Sequence, residues 1–335
     1  MKRTKIELTE IAAYGNLVTA AVTAAQAKHT RPDVRDFFSK FDKSIDDIRK
    51  QLVQYKAPYG IYKRFTIHDP KKRIIHAACF EDRVIHHAIM HYMEPVIDRE
   101  LLPTVFACRK GKGTLQAVQW VQQCIRRYPW YVKIDIRKYF DSIDHNILIS
   151  LLKRKLKGRD FIDLLTAIID SYHVTPGKGI PIGALTSQYF ANYYLKVLDR
   201  FLFDTLHVSA HARYMDDIIW WCPDRLSART ALKAVIDFLQ AQCLLTVKDN
   251  RQINRSSRGI SFCGFRILSG MLKLSRRRKK RYSTRKKFWE KAYSTGLIDA
   301  VKLQNAYAAV HAITLHAESR EWRRQYLARC ESIDI

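Results

Sequence analysis

Apolar positions over residues 8–56 recur at helical spacing, first among alanines and then among charges, with a break at Thr30-Arg31-Pro32-Asp33. The spacing predicts helices that form an N-terminal cap. At Pro58-Tyr59-Gly60 the pattern shortens to β-type runs, residues 61–67 and 73–77, joined by Asp69-Pro70-Lys71-Lys72, and a basic β-hairpin is expected. Helical spacing returns over residues 81–97 and 115–128, on either side of the loop 108–114. Tyr131-Val132-Lys133-Ile134-Asp135-Ile136 alternates as a strand and brings an acid to its end. A helix is expected from residue 141 to about 157, with Asp141, Ser142 or Asp144 capping its free amides. A glycine-rich segment, 176–183, leads into a predicted helix over 186–206. Beyond it Tyr214-Met215-Asp216-Asp217 stands before the apolar run Ile218-Ile219-Trp220-Trp221, which reads as a hairpin tip carrying paired acids. A helix over 227–244 and a strand pair that includes 260–266 follow.

Composition sharpens this outline. With 335 residues, 47% of them hydrophobic, the chain can bury a sizeable core and divide into two or three lobes. Its formal net charge of +27 draws polyanions through counterion release, and nucleic acid is the leading partner. Residues 251–287 hold fourteen Lys or Arg and no acid, while Tyr282, Phe288, Trp289 and Tyr293 follow at helical spacings. That pattern predicts a folded basic lobe, with Arg276, Arg277, Arg278, Lys279, Lys280 and Arg281 binding nucleic acid. Seven scattered cysteines without a Cys-x-x-Cys pair point to a reducing compartment and no zinc site. His86, His87 and His91 lack companion ligands and read as a helix face. The basic start and Ala24-Ala25-Gln26-Ala27 imitate an export signal, but Glu7, Glu10, Gly15 and Asn16 interrupt its apolar core. No run approaches the roughly 18 apolar residues that span a membrane, so a cytoplasmic protein without membrane contact is expected.

Asp135, Asp216 and Asp217 are a donor set suited to magnesium, which takes hard oxygen ligands and completes its shell with water and phosphate oxygens. Two such ions can activate an attacking hydroxyl and stabilise a pyrophosphate leaving group. Neighbours on a regular strand face opposite sides, but a tight turn lets both acids serve one site. An exposed Asp-Asp turn is the plainer alternative. Gly111-Lys112-Gly113-Thr114 lacks the upstream glycine of a P-loop and reads as a basic loop for phosphates.

Taken in order, the motifs resemble those of a reverse transcriptase over residues 60–270. Arg73 precedes Asp82-Arg83 by nine residues, residues 106–114 form a second fingers-like motif, Phe140 follows Asp135 by five, and Phe262-Cys263-Gly264-Phe265 follows the Tyr214–Asp217 signature. The resemblance implies an α+β, right-hand polymerase: an N-terminal helical cap at 1–56, fingers at 57–130, an antiparallel-sheet palm at 131–270 with a fingers insertion near 145–180, and a short basic helical thumb at 271–335. It implies Asp135, Asp216 and Asp217 as catalytic ligands of two Mg2+ ions. Arg73 and Arg109, with Lys71 or Lys72, would clamp the triphosphate. Phe140 would exclude a ribose 2′-hydroxyl, and Ile182, Gly183 and Gln188 would line the nucleotide-binding turn, Gly183 allowing close backbone approach. Lys248 and Arg251 fall near the family's leaving-phosphate position without a firm match.

The nucleotide-binding turn departs from the common Gln-Gly-x-x-x-Ser-Pro pattern, reading Ile182-Gly183-Ala184-Leu185-Thr186-Ser187-Gln188. This variant resembles the reverse transcriptases of diversity-generating retroelements. It implies error-prone, adenine-biased cDNA synthesis from a template-repeat RNA and dNTPs, with a small, basic, oligomeric accessory variability protein as partner. Isoleucine offers shape where glutamine offers donors and an acceptor, and one lost hydrogen bond removes on the order of 1 kcal/mol of discrimination. The alternatives are a group II intron-like or retron-like enzyme of ordinary fidelity and a non-catalytic, basic RNA-binding scaffold. No appended RNase H, endonuclease or integrase domain is expected, so those steps would fall to partners.

Overall fold

The computed structural model describes residues 3–68 and 72–330. A short strand, β1 (Thr4–Lys5), precedes helices α1 (Leu8–Ile11), α2 (Tyr14–Ala25), α3 (Pro32–Ser39) and α4 (Phe41–Val53). The expected break at 30–33 is where α3 starts, with Pro32 in its first turn, where a missing amide hydrogen costs nothing. Leu17, Ala20, Ala21, Ala24 and Ala25 bury one face of α2, and the small side chains let it pack closely on α5 (Phe80–Glu100).

Between α4 and α5 lies the expected hairpin, β2 (Tyr62–His68) and β3 (Lys72–Ala78), antiparallel with Ile67 opposite Arg73. Apart from Lys72, its predicted turn, Lys71 included, falls outside the described residues. Asp82 fastens the hairpin to α5: its carboxylate accepts from the Tyr59 and Gly60 amides at 2.8 and 2.9 Å. Helix α6 (Thr114–Arg127) follows the loop 108–114.

The central sheet begins with β4 (Trp130–Asp135), and chain then runs through α7 (Tyr139–Ser142), α8 (His145–Lys155), β5 (Leu156–Lys157), α9 (Arg159–Asp170), α10 (Leu185–Tyr194) and α11 (Lys196–Arg200). A single π-helical turn, Phe201–Thr205, leads to β6 (Ala210–Tyr214), β7 (Asp217–Cys222), α12 (Arg225–Cys243) and β8 (Gln252–Arg255). The helix expected over 186–206 is thus α10, α11 and that π turn in succession. Asp144 caps α8 by accepting from the Ile147 amide at 3.2 Å, whereas Asp141 lies inside α7 and is not the cap. That helix stops at Lys155 because the next two residues pair with β1, a parallel ladder too short to leave a periodic trace.

Strand order is β6-β7-β4-β8, antiparallel throughout. Both sheet faces are covered. Val132, Ile134, Ile218 and Trp220 enter the main core with α10 and α12, while Tyr131, Ala212, Ile219 and Trp221 enter a second core with α6 and residues Phe262 and Phe265. Burial on both faces explains why Ile218-Ile219-Trp220-Trp221 does not alternate with polar residues.

A separate three-stranded sheet, β9 (Ile260–Phe262), β10 (Phe265–Ile267) and β11 (Leu272–Leu274), replaces the expected strand pair. Three helices complete the described chain: α13 (Arg276–Ser294), capped by Ser275, α14 (Ala300–Ala312) and α15 (Arg320–Leu327). The molecule is a mixed helix and sheet protein, and no helix among the described residues is long and apolar enough to cross a membrane.

Candidate active site

Antiparallel pairing of β4 with β7 sets Asp135 opposite Asp217, so acids far apart in sequence meet at one end of the central sheet. The β6–β7 link is two residues, Met215 and Asp216, with Met215 left-handed at φ 58°. For a residue with a Cβ that backbone costs about 1–2 kcal/mol, and it turns Asp216 to the same end of the sheet as Asp217. All three carboxylates line a cavity of about 640 Å³, together with Arg73, Phe140, Ile182, Gly183, Gln188 and Arg277. Tyr214, Met215, Cys108, Thr114, Lys248 and Cys263 also line it.

Charge in this cavity is only partly balanced. Lys248 Nζ lies 2.5 Å from Asp135 Oδ1, and Lys133 Nζ lies 3.1 and 3.2 Å from the two oxygens of Asp217. Lys133 is itself held by the Ser261 carbonyl at 2.6 Å. Burial, helped by the neighbouring Asp135 charge, pushes the Asp216 carboxyl up to about 6. Burial also raises Asp217, against the pull of Lys133, and its Oδ1 is a buried oxygen that accepts no hydrogen bond. Crowded carboxylates, one of them raised by burial and a neighbouring acid, are the donor chemistry that fits a hard divalent cation. Among the described residues no three potential ligands stand in metal-holding geometry; Asp135 and Asp217 are drawn onto lysines and must turn from them to bind.

Around the acids, sequence expectations meet a mixed outcome. Ile182 and Gly183 lie against β3: the His76 amide donates to the Ile182 carbonyl at 2.9 Å. A Cβ on Gly183, at φ 125°, would stand 2.8 Å from Ile75 Cγ2 and 3.2 Å from the His76 carbonyl oxygen. Packing against the hairpin therefore demands glycine here, whatever approaches from the cavity. Gln188 Oε1 receives the Cys108 thiol at 3.3 Å, which draws the loop after Phe106 to the cavity wall. Phe140 is half-buried just beyond β4, its carbonyl taking the Ile180 amide at 2.9 Å.

Arg109 does not face the cavity, contrary to expectation. Its guanidinium is buried behind it, with Nε 2.5 Å from Asp98 Oδ1, Nη1 on the Leu102 and Val105 carbonyls at 2.7 and 3.0 Å, and Nη2 on the Asp98 carbonyl at 3.2 Å. It satisfies carbonyls at and beyond the C-terminal end of α5, and these bonds take four of its five N–H donors and turn it away from the cavity. The basic lobe also needs correction. Arg276, Arg277, Lys280 and Arg281 are exposed, but Arg278 folds over the Phe265 ring at 4.0 Å and Lys279 lies 5.2 Å from the Trp322 ring. Both use their charge partly on aromatic faces inside the fold. His86 is buried with neither ring nitrogen bonded, and His91 Nδ1 meets Asn16 Oδ1 at 3.0 Å; among the described residues these histidines belong to no group of three potential ligands. All seven cysteines are unpaired.

Sequence reasoning passed over Lys133, and it left Lys248 unassigned. Lys133 had a legible signal: two places before Asp135 on an alternating strand, it shares the acid's face.

The family described as reverse transcriptase (RNA-dependent DNA polymerase) matches residues 66–267, more than half of the chain and the whole span from Arg73 to Cys263 around the cavity. Similarity extends to the Group II intron-encoded protein LtrA of Lactococcus lactis subsp. cremoris, 27% identical over 199 residues, which are 57% of this chain and 33% of that protein. A putative COX1/OXI3 intron 1 protein of Saccharomyces cerevisiae is 22% identical over 166 residues, 47% of this chain and 19% of the relative. Protein YkfC of Escherichia coli K12 is 24% identical over 156 residues, 43% and 39% of the two chains. The matched stretch thus spans about a fifth to two fifths of these proteins. With the family match covering more than half of the chain, including all three acids, the chain belongs to the reverse transcriptase (RNA-dependent DNA polymerase) family.

Proposed function

We propose that the protein is an RNA-directed DNA polymerase of the diversity-generating type, copying a template RNA into error-prone cDNA. In this reading Asp135, Asp216 and Asp217 hold two Mg2+ ions, which supply the charge that activates the primer 3′-hydroxyl and stabilises pyrophosphate. Arg73 meets the triphosphate, Phe140 stands against a ribose 2′-hydroxyl, and exposed Arg276, Arg277, Lys280 and Arg281 follow the nucleic-acid backbone. Residues 57–130 act as fingers, 131–270 as palm and 271–335 as thumb.

Ile182 carries the finer assignment. It lines the cavity beside Gly183 and Gln188, its carbonyl is already committed to His76, and its side chain has no polar atom for the incoming nucleotide. Selection there rests on shape, which supports reduced fidelity; an accessory protein, a small basic oligomer, follows only from the resemblance to the diversity-generating enzymes.

A second reading has one observation in its favour: among the relatives, LtrA and the yeast protein carry intron-encoded names, which suits a group II intron-type enzyme or maturase of ordinary fidelity. Magnesium-dependent primer extension on a defined RNA, with the cDNA sequenced against each template base, separates the two. Errors concentrated opposite adenine support the diversity-generating reading; uniform accuracy, with or without an accessory protein, moves the assignment to the second. RNA binding without cDNA under every metal and template condition would leave the non-catalytic scaffold.

A further inference from the structure

The turn that carries Asp216 is held from behind by a side chain outside the cavity. Arg213 is fully buried. Its Nε donates to Asp199 Oδ1 and Oδ2 at 2.8 and 3.1 Å, and Nη2 to Asp199 Oδ2 at 2.7 Å and the Asn192 carbonyl at 3.0 Å. The remaining nitrogen, Nη1, donates to Asn192 Oδ1 at 3.1 Å and to the Met215 carbonyl at 3.3 Å. That carbonyl belongs to the peptide joining left-handed Met215 to Asp216. A residue in a sparsely populated backbone region persists only where its surroundings over-determine it, and here a buried guanidinium supplies the donor. From the same node Asn192 Nδ2 donates to the Ala107 carbonyl at 2.5 Å, next to Cys108 on the cavity wall. Two side chains, Arg213 and Asn192, therefore tie the turn, α10 and the loop around Cys108 together.

We infer that Arg213 is a positioning residue: it fixes the Met215–Asp216 peptide and thereby the direction in which the Asp216 carboxylate meets a metal ion. The inference rests on the reading of Asp216 as a metal ligand. Lysine would preserve the charge opposite Asp199, but one ammonium cannot span Asp199, Asn192 and the Met215 carbonyl as the planar fork does. His211 serves as the internal control. Its Nε2 meets Asp199 at 3.0 Å and its Nδ1 meets Thr104 at 2.7 Å, so it belongs to the same network but has no bond to the turn.

The test measures Mn2+ binding to the full chain by electron paramagnetic resonance without nucleic acid, beside melting temperature and the Mg2+ dependence of primer extension. Arg213→Lys is expected to weaken Mn2+ binding by about tenfold or more, as loss of a support behind a metal ligand does, and to raise the Mg2+ needed for half-maximal extension. His211→Gln is expected to lower melting temperature while Mn2+ affinity stays at the wild-type value. If Arg213→Lys does not fold, Arg213→Met combined with Asp199→Leu removes both charges together, leaves neither unpaired, and is expected to show the same metal defect. Wild-type Mn2+ affinity in the folded Arg213 variant, or an equal defect in His211→Gln, overturns the inference. Asp216→Asn tells the two levels apart: wild-type Mn2+ affinity there removes the metal-ligand reading itself, and this inference with it.

Discussion

Asp199 and Asp216 are both withdrawn from water beside the β6–β7 hairpin, and their surroundings drive them in opposite directions. Burial alone would raise Asp199, but the Arg213 charge and the His211 and Arg213 hydrogen bonds carry it down to about 2. Burial raises Asp216 to about 6, with Asp135 adding repulsion and Lys248 giving only partial relief. The first acid is balanced by its own fold and serves as a rivet; the second is left short of positive charge where a ligand can supply it. Burial of a carboxylate is thus not diagnostic of function, and neither is a missing counter-charge alone, since Asp82 is buried on two backbone amides in a structural role; what marks Asp216 is the missing counter-charge at an open cavity shared with two other acids.

The strongest way to break this contrast is Asp216→Asn. Primer extension is expected to fall to the no-enzyme background, with RNA binding kept. Without metal the same substitution should stabilise the protein near neutral pH. The folded carboxyl titrates above its unfolded value of 3.8, so its favourable protonated form is fully present below about 4 and lost as pH rises through about 6. At most about 3 kcal/mol is involved, since the shift is about two pH units. Thermal melts in chelator should show wild type losing stability across that window and Asp216→Asn losing less, Asp217 being raised as well. Identical pH profiles would place the charge imbalance elsewhere.

Asp199→Asn should act on the other member in the opposite sense. It leaves the Arg213 guanidinium buried without its counter-ion, and the expected loss is about 3–5 kcal/mol at every pH above the acid range. Urea denaturation checks this. A cost below about 1 kcal/mol would mean that the rear network is not a compensated pair.

The front of this contrast was far more legible in sequence than the rear. Alternation over 131–136 and the paired acids at 216–217 announce two strand ends, and antiparallel pairing brings them together. Arg213 and His211 carry a weaker signal. In Ala210-His211-Ala212-Arg213 both polar residues fall on one face of a strand, and that face is buried, so an acid partner is required. Which acid it is depends on where α11 packs, and no local pattern encodes that. Arg109 failed for the related reason that a basic loop residue looks the same whether it awaits phosphate or satisfies the end of α5. Ladder β1–β5 was lost because two residues have no period.

Gly183→Ala tests whether the cavity wall is as tightly specified as the rear network. An added methyl meets Ile75 at 2.8 Å and a backbone at φ 125°, so the β3 contact must open. Stability should drop by about 1–3 kcal/mol. Because Ile182 and Arg73 are carried on the same contact, KM for dNTP should rise more than kcat falls. An unchanged KM would separate the hairpin from nucleotide binding.

The smallest effect expected is also the one that bears on fidelity. Ile182→Gln adds an amide donor and acceptor at a cavity position whose side chain now offers only shape. A single new hydrogen bond is worth on the order of 1 kcal/mol, or several-fold in discrimination, so misincorporation per template base should fall by that factor with little change in melting temperature. If errors fall equally at all four template bases, position 182 governs general selectivity, and any adenine bias has its origin in other residues or in a partner. Should they fall opposite adenine alone, the bias is written into this wall of the cavity. An unchanged error spectrum would mean that nucleotide choice does not pass through Ile182, and the diversity-generating reading would lose the residue that carries it.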